Sequence, residues 1–261
     1  CTPIPAGTVE DDRAHFIYYQ YNDVKSLEDA VAQAGDDLAA IFASPFKHDV
    51  FVDQELPDAA YARRARELCD EKDALLIVDD IRAGFRIERN CSWNHLGVQP
   101  DLSTWGKAIA NGHPISALLG NERAKEAASH IYVTGSFWFA GAAMAASLET
   151  LRLIRETDYL ERTIALGDRL RAGLASIANT CDLDLSQTGP SQMPLVMITN
   201  EEGNCDFDRS TAFVDGMLAG GVYFHPFHNM FVGAAMTEAD IDRTLEVAET
   251  VMKKLPDPVA A

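Results

Sequence analysis

The chain has 261 residues, 47% of them hydrophobic, and a formal net charge of -18 at pH 7. This length and apolar content suffice for a buried core in one large domain, or in one domain with a smaller lobe. An excess of carboxylates without a concentrated basic patch repels nucleic acid and anionic membrane surfaces, so we expect neither as a partner. Because no apolar run approaches the roughly 20 residues of a membrane helix, a cytoplasmic protein is expected.

The cysteines and histidines predict neither disulfides nor a metal site. The five cysteines are an odd number, lie far apart and form no C-x-x-C pair, which indicates reduced thiols. His225 and His228 are close in sequence, but no cysteine or second histidine pair accompanies them, so zinc is not expected. Residue 1 is Cys1 rather than methionine, and a strand-like run follows soon after it, so we expect the chain to start inside a domain.

The first 80 residues predict alternating strands and helices. Strands are expected at FIYYQY (16–21) and LAAIFASPF (38–46), with the helical segment VKSLEDAVAQAG between them. Helical spacing then predicts a helix in LPDAAYARRARELCDEKD, and the apolar run ALLIVDD (74–80) predicts a buried strand. Continuous apolar strands of this kind are typical of parallel sheets covered by helices on both faces.

The second half of the chain changes in character. After another predicted strand, ISALLG, a long helical pattern begins near Ala140 and is expected to break near Thr157 and Asp158 into two helices. Strands are then predicted in PLVMITN and GVYFHPFHN, and a final helix in TEADIDRTLEVAETVMKKL, with a capping-box-like start. We therefore expect a large domain over residues 1–155 and a small C-terminal lobe over residues 156–261.

Two carboxylates, Asp79 and Asp80, end the predicted strand at 74–80. Ligands of α/β sheets bind beyond the carboxyl ends of the strands. An aspartate at this position can cap a helix or pair with a nearby arginine such as Arg82 or Arg86. Alternatively, a buried aspartate beside a pyridine nitrogen keeps that nitrogen protonated, as pyridoxal phosphate chemistry requires. The residues alone leave both interpretations open.

Lys107 is the one lysine of the segment LSTWGKAIANGHPISALLG, and its neighbours are small or apolar. A lysine ordinarily points into water, but desolvation lowers its pKa, which favours the role of a Schiff-base amine. Lying just before the next predicted strand, Lys107 is expected to open onto the same carboxyl edge of the sheet as Asp79. A solvated side chain remains the alternative.

Four separated segments carry a family resemblance: LLIVDDIRAGFR, GVQPDLSTWGKAIANGHPISALLG, TGSFWFAGAAMAASLETL and HPFHNMFVGAAMTEADIDRTLEVAE. In this order they resemble the class III aminotransferases, which are fold-type I pyridoxal phosphate enzymes, and within them the glutamate-1-semialdehyde aminomutase-like branch. The resemblance covers nearly the whole chain. It implies an α/β fold-type I large domain, present in part, with a mostly parallel sheet and flanking helices, and a small C-terminal α+β lobe.

The resemblance also implies a role for three residues in binding pyridoxal 5'-phosphate. The family pattern D-E-V-x-T-G-F-R begins at Asp79, so Asp79 is implied as the partner of the pyridinium nitrogen. Ile81 takes the position whose side chain packs on one face of the ring. Lys107 matches the Schiff-base lysine, which makes Lys107 and Asp79 the implied catalytic residues.

The family segment G-T-x-S-G-N-P falls on residues 135–141. Gly135 and Ser136 therefore inherit the contact to the cofactor phosphate, which in the family reaches the neighbouring subunit. This implies a homodimer with active sites at the interface. Trp138 and Phe139 depart from the family pattern, and we expect them to form interface core rather than to contact substrate.

Further departures concern the activity. Asp80 replaces the glutamate and Ala83 the threonine of the family pattern. The phosphate-binding loop and the aromatic residue that stacks on the other ring face have no match in this chain. The chain is then either the C-terminal part of a longer enzyme or a half-length relative.

The resemblance implies an aminotransferase that moves an amino group between an amino compound and a keto acid or aldehyde through a Lys107 Schiff base. The alternatives are a glutamate-1-semialdehyde-type aminomutase and a non-catalytic half-length relative that acts as a scaffold. The donor, the acceptor and the stereochemistry are not indicated by these residues.

Overall fold

The computed structural model describes residues 7–138 and 140–255, without the side chain of Asp12. These residues form two compact units. The first contains the chain up to Pro45 and residues 57–152, and the second contains residues 46–56 and the chain from Leu153 onward. Assignment of a cofactor-binding domain to residues 1–155 and of a small domain to residues 156–261 stays a prediction.

The first unit is built on a four-stranded sheet. Its strands are β1 (Ala40–Ala43), β2 (Leu75–Asp79), β3 (Leu102–Trp105) and β4 (Ala117–Gly120), in that spatial order. β1, β2 and β3 are parallel, and β4 runs antiparallel to β3 at the edge of the sheet. The expected mostly parallel sheet is confirmed.

The helices of this unit are α1 (Glu10–Arg13), α2 (Val24–Ala34), α3 (Ala59–Glu71), α4 (Glu122–His130) and most of α5 (Gly141–Glu156), which continues into the second unit after Arg152. α3 begins where the Asp58 side chain accepts the Ala60 N–H at 2.6 Å, and it packs its apolar face on β1 and β2. Tyr61 from α3 and Leu76 from β2 are fully buried there, together with Trp93. The core of this unit thus includes the interface between α3 and the first two strands of the sheet.

The strand predicted at residues 16–21 is wrong, because these residues form a loop. The Tyr19 hydroxyl donates to the Phe42 carbonyl oxygen at 3.1 Å, and the Tyr21 hydroxyl donates to the Pro45 carbonyl oxygen, also at 3.1 Å. Both rings pack on Tyr61, with centroids 6.2 and 5.1 Å from it. The aromatic run therefore contacts the core from a loop, without joining the sheet.

The segment around Lys107 also differs from expectation. Residues 102–105, which showed no strand signal, form β3, and the predicted strand ISALLG shortens to β4 and runs in the opposite direction. Lys107 consequently follows a parallel strand instead of preceding one. It still lies at the carboxyl edge, as predicted, because β3 and β2 end side by side with Asp79 opposite Thr104.

The second unit contains α6 (Tyr159–Thr180), α7 (Phe207–Ala219) and α8 (Glu238–Met252), with β5 (Leu185–Thr188) paired antiparallel to β6 (Leu195–Ile198). The break between α5 and α6 at residues 157–158 is confirmed, and so is the α+β character of this unit. In the predicted capping box, the Thr237 N–H donates to Asp240 Oδ2 at 2.7 Å while the Asp240 N–H donates to Thr237 Oγ1.

The strand predicted in GVYFHPFHN is wrong, since these residues form turns and irregular backbone. Their aromatic rings pack on one another instead. Phe227 stacks on Phe51 with ring centroids 4.3 Å apart and meets His225 edge-on at 4.4 Å. Neither β5 nor α7 was expected from the sequence pattern. The core of this unit includes the fully buried Leu174 and Met217.

Candidate active site

Asp79 is the last residue of β2, and two donors fix its carboxylate. The Thr104 hydroxyl of β3 donates to Oδ1 at 2.9 Å, and the Ile81 N–H donates to the same oxygen at 3.1 Å. Within the described part of the chain, Oδ2 accepts no hydrogen bond. The half-buried carboxylate therefore holds one orientation and keeps one oxygen for a further donor.

Asp80, the next residue, has the opposite environment. It is 1% exposed and accepts hydrogen bonds from both the N–H and the hydroxyl of Ser92. Burial raises the pKa of Asp80, and the Ser92 hydrogen bonds oppose this rise. Alternation along the strand directs the two side chains to opposite faces of the sheet. Asp80 thus stabilises the fold, and only Asp79 is available to a ligand.

A tight turn links Asp79 to the rest of the site. The Gly84 N–H donates to the Asp80 carbonyl oxygen at 2.8 Å, and a Cβ on Gly84 would lie 2.6 Å from that oxygen and 2.7 Å from the Trp105 ring. Only glycine fits this close approach. Ile81 on this turn lies near Gly106, because a Cβ on Gly106 would be 3.4 Å from Ile81 Cγ2, which is an ordinary van der Waals contact.

Lys107 follows β3 in a single 3₁₀ turn, Lys107–Ile109. Its φ of 45° lies in the left-handed region, which is sparsely populated for residues other than glycine and costs about 1 kcal/mol or more. The side chain is exposed, yet even its partial burial lowers the pKa of the Lys107 amine. The cations Arg82 and Arg86 lower this pKa further, and Asp79 opposes them.

Arg82 and Arg86 lie on the turn that leaves Asp79. An Arg86 guanidinium N–H donates to the Arg82 carbonyl oxygen, which ties the two residues together. Burial lowers the pKa of both guanidinium groups, and the charge of Arg82 lowers that of Arg86 further. Lys107, Arg82 and Arg86 therefore form a cationic cluster beside Asp79.

Gly135 and Ser136 lie in an exposed segment before α5. The Trp138 indole covers Gly135 so closely that a Cβ on Gly135 would lie 1.7 Å from Trp138 Nε1. Ser136 makes no hydrogen bond or ion pair to Asp79 or Lys107 among the described residues. The structure thus brings Asp79, Ile81 and Lys107 together but shows no link from them to Ser136. Phe139 lies outside the described residues.

These groups match the chemistry of pyridoxal phosphate. A carboxylate with a fixed orientation suits a ring nitrogen, an amine with a lowered pKa suits an aldehyde, and Ile81 at the edge of the sheet offers an apolar surface to a ring. The exposed Ser136 hydroxyl can donate to a phosphate oxygen. No cluster of three or more histidine, cysteine or carboxylate side chains in residues 7–138 and 140–255 could hold a metal ion.

Two residues of this site were missed at the sequence level. Thr104 orients Asp79 through its hydroxyl. If LSTW is recognised as a strand, the alternation of side chains along it places the Thr104 side chain on the same face of the sheet as Asp79. Arg82 was considered only as a partner for an aspartate. Its place beside Lys107 depends on the turn at Gly84, which sequence spacing does not reveal.

The fold is that of the fold-type I pyridoxal phosphate transaminases. The chain resembles the FumI protein of Sphingopyxis sp. MTA144, solved in its PLP internal aldimine form, with a TM-score of 0.92 and 53% identity over 96% of this chain and 60% of that chain. The Aminotransferase class-III profile matches residues 7–252. The chain therefore belongs to the class III aminotransferase family.

Two curated relatives extend this comparison. The aminopentol aminotransferase of Sphingopyxis macrogoltabida is 54% identical over 248 residues, which are 95% of this chain and 58% of that protein. Glutamate-1-semialdehyde 2,1-aminomutase 2 of Bacillus pumilus (strain SAFR-032) is 31% identical over 97% of this chain and 61% of its own length. The chain thus spans about three fifths of the length of these relatives.

None of the helices in the described part of the chain combines the length and apolar character that a membrane crossing requires. Cys69, Cys91, Cys181 and Cys205 are free thiols, while Cys1 lies outside the described residues.

Proposed function

We propose that this chain is part of a pyridoxal phosphate dependent aminotransferase. The observation that carries the proposal is the position of Asp79 and Lys107 at the carboxyl ends of two adjacent parallel strands, with Asp79 oriented by Thr104. Membership of the class III family and 54% identity to an aminotransferase support it. The reaction moves an amino group from an amino compound to a keto acid or aldehyde.

Each residue of the site then has a defined task. Pyridoxal phosphate, when bound, supplies an electron sink for the negative charge that develops on the substrate carbon beside the nitrogen. Asp79 keeps a proton on the ring nitrogen through its carboxylate. Lys107 would hold the cofactor through Nζ and, once displaced by the incoming amine, would act as the base toward the substrate carbon and then as the acid. Ile81 supports one face of the ring.

The relatives support a substrate class. The 54% identity to an aminopentol aminotransferase supports an amino donor that is a hydroxylated aliphatic amine. An aminomutase is the second candidate, because the 31% identical relatives are named as glutamate-1-semialdehyde aminomutases. The two are distinguished by the product: an aminomutase converts one substrate into its isomer without consuming a separate acceptor. A scaffold without activity is the third reading, and it predicts no cofactor binding.

We further propose a homodimer in the cytoplasm. Ser136 is exposed on its segment, where it can reach the phosphate held by a neighbouring subunit. The free thiols of the described cysteines suit a reducing compartment. Replacement Ser136→Ala should weaken cofactor binding, whereas Ser129→Ala, on α4, should leave it unchanged. Equal cofactor affinity in the Ser136→Ala and wild-type proteins would contradict the proposed phosphate contact of Ser136.

The decisive experiment traps the cofactor on the protein. The full-length product of the encoding reading frame is loaded with pyridoxal phosphate, reduced with borohydride, digested and analysed by mass spectrometry. We expect the reduced cofactor on the peptide that contains Lys107, because this amine has the lowered pKa and lies beside Asp79. A label on another lysine, or on none, contradicts the proposed function.

Two variants sharpen this test. Lys107→Ala should abolish the label, while Lys125→Ala, which removes an exposed lysine of α4, should retain it. Asp79→Asn should still bind the cofactor but react at least about 100-fold more slowly, because the amide cannot keep a proton on the ring nitrogen. Wild-type turnover in Asp79→Asn would refute the role of Asp79.

A further inference from the structure

The loop that carries Lys107 contains a second residue with left-handed backbone. Asn111 has a φ of 43°, close to the 45° of Lys107. Such backbone is unfavourable at residues other than glycine, and it persists only where the surrounding structure enforces it. The contacts that hold residues 107–112 therefore determine how the Lys107 amine is presented.

The sheet fixes the start of this loop. Trp105 is the last residue of β3, where it is buried and pairs with Ala117 of β4. Gly106 follows in extended conformation, and its carbonyl oxygen accepts the Ile109 N–H at 3.1 Å. The backbone thus enters Lys107 from a defined direction.

The core and α5 hold the end of the loop. Ile109 and Ala110 are buried in the core of the first unit, against which Ala146 of α5 packs. The Asn111 side chain then reaches α5 itself, where Nδ2 donates to the buried Thr150 Oγ1 at 3.3 Å. A side-chain hydrogen bond therefore ties the Lys107 loop to a helix.

Asn111 combines two properties at this position. Asparagine adopts left-handed backbone more readily than most residues, because its short polar side chain can hydrogen-bond locally. Unlike glycine, which shares the backbone freedom, it also supplies an amide N–H donor. The Thr150 hydroxyl is buried away from water, so a donor from the protein stabilises it. The contact favours one position of the loop on α5.

We propose that Asn111 is a positioning residue, whose hydrogen bond to Thr150 holds the strained turn at Lys107 and so presents the amine to the aldehyde of pyridoxal phosphate. The inference rests on the proposed function. Asn111 acts through the backbone, since the neighbouring Ala110 N–H donates to the Lys107 carbonyl oxygen at 3.4 Å. Without the tie to α5, Lys107 can relax to a common backbone conformation, and its amine is then held less often where the aldehyde binds.

The first experiment measures cofactor affinity in variants of this contact. Full-length protein is titrated with pyridoxal phosphate, and binding is followed by absorbance. Thr150→Val keeps the shape of the side chain but removes the acceptor, and Asn111→Gly removes the donor but tolerates the left-handed backbone. Each should raise the Kd about 2- to 10-fold, as expected for the net loss of one hydrogen bond.

Two further variants are the controls for this titration. Thr150→Ser keeps the hydroxyl and should bind within about twofold of wild type. Thr163→Val makes the same replacement at a buried threonine of α6 and should leave the Kd unchanged. The double variant Asn111→Gly with Thr150→Val should bind no more weakly than either single variant, because both substitutions remove the same bond.

The second experiment examines the Lys107 amine directly. In cofactor-free protein, reductive methylation of Lys107 is compared with that of the exposed Lys125 in the same sample. In Thr150→Val and Asn111→Gly the Lys107 profile should move toward higher pH, because burial lowers the pKa of Lys107 and a relaxed loop exposes the amine to water. The Lys125 profile should not move, which a general loss of stability would not explain.

The outcomes separate this inference from the proposed function. If the wild type carries the borohydride label on Lys107 but Asn111→Gly binds pyridoxal phosphate as tightly as wild type, the role of Asn111 is overturned and the aminotransferase stands. Losses that add in the double variant, or an unchanged Lys107 profile, also overturn it. A wild type without the label overturns both. If Thr150→Val does not fold, Asn111→Gly, at an exposed position, still provides the test.

Discussion

At the scale of single residues, Asp79 and Asp80 show how one step along a strand changes a side chain's chemistry. Both are carboxylates, but Asp79 is half-buried at the carboxyl edge, while Asp80 points into the core and is closed off by Ser92. The sequence pattern indicated the pair, and the resemblance implied that Asp79 is the member that would face the cofactor. Thr104 and Ser92, which enforce the difference, come from segments 25 and 12 residues away in sequence.

The lowered pKa of Lys107 leads to a prediction about its reactivity. Partial burial, with Arg82 and Arg86 nearby, keeps this pKa below the ordinary lysine value of about 10.4, so the neutral amine is populated at lower pH than in other lysines. Competitive reductive methylation of the cofactor-free protein should therefore label Lys107 before Lys25, whose hydrogen bond to Asp29 raises its pKa.

The pH dependence of labelling supplies the control. The labelling of Lys107 should reach its half-maximal rate at lower pH than that of Lys25, and in Arg82→Gln the Lys107 profile should move toward higher pH because one neighbouring cation is gone. Identical profiles for the two lysines, measured by peptide mass spectrometry, would show that the environment of Lys107 does not activate it.

At the scale of elements, α8 depends on its first turn. The capping box of Thr237 and Asp240 satisfies backbone N–H groups that have no partner within the helix, and the Thr237 hydrogen bonds lower the pKa of Asp240. Thr237→Ala should reduce the free energy of unfolding by about 1 kcal/mol, measured by urea denaturation. Thr250→Ala, in the last turns of the same helix, should be neutral within about 0.5 kcal/mol. Equal effects would contradict the capping argument.

Which elements could be predicted from the sequence depends on how each one is stabilised. α3, α8 and β2 were predicted because their own periodicity or caps specify them. The run 16–21 was misread because Tyr19 and Tyr21 gain their burial from α3, which is remote in sequence. β3 was missed because its polar residues, such as Ser103 and Thr104, are satisfied by neighbours in the folded sheet.

At the scale of the whole molecule, the first unit exposes many apolar side chains. On β4 and in the segment before α5, the side chains of Leu118, Leu119, Ile131, Tyr132 and Phe137 are between 54% and 89% exposed. Clusters of this kind usually mark surfaces that bind other polypeptide. They support the proposed homodimer, and sedimentation of the full-length protein should give about twice the mass of one chain.

Acid stability of the first unit should depend on Asp101. Its side chain is 2% exposed and joins three elements, through Leu76 N–H of β2, Arg66 of α3, and Asn121 at the start of α4. Burial alone would raise the pKa of Asp101, but these three hydrogen bonds outweigh it and hold the pKa below its usual range.

A depressed folded-state pKa means that this stabilisation is present above the unfolded pKa of about 3.9 and is lost as the pH falls through the folded value. Asp101→Asn should lower the free energy of unfolding by about 3 kcal/mol at pH 7, because Arg66 loses its buried partner. The deficit should shrink below about pH 4 in denaturation curves. Asp73→Asn, an exposed partner of Arg123, is the control and should have little effect.

The antiparallel arrangement of β3 and β4 has a consequence for protein engineering. The pairing of Trp105 with Ala117 closes the connecting loop at its base, and Lys107 lies immediately inside that base. The far end of the loop, around Asn111 and Gly112, is exposed and already adopts left-handed backbone. A fluorescent probe attached at the tip, at His113, would therefore sit on the same short hairpin as Lys107 and report cofactor loading without replacing any residue of the proposed site.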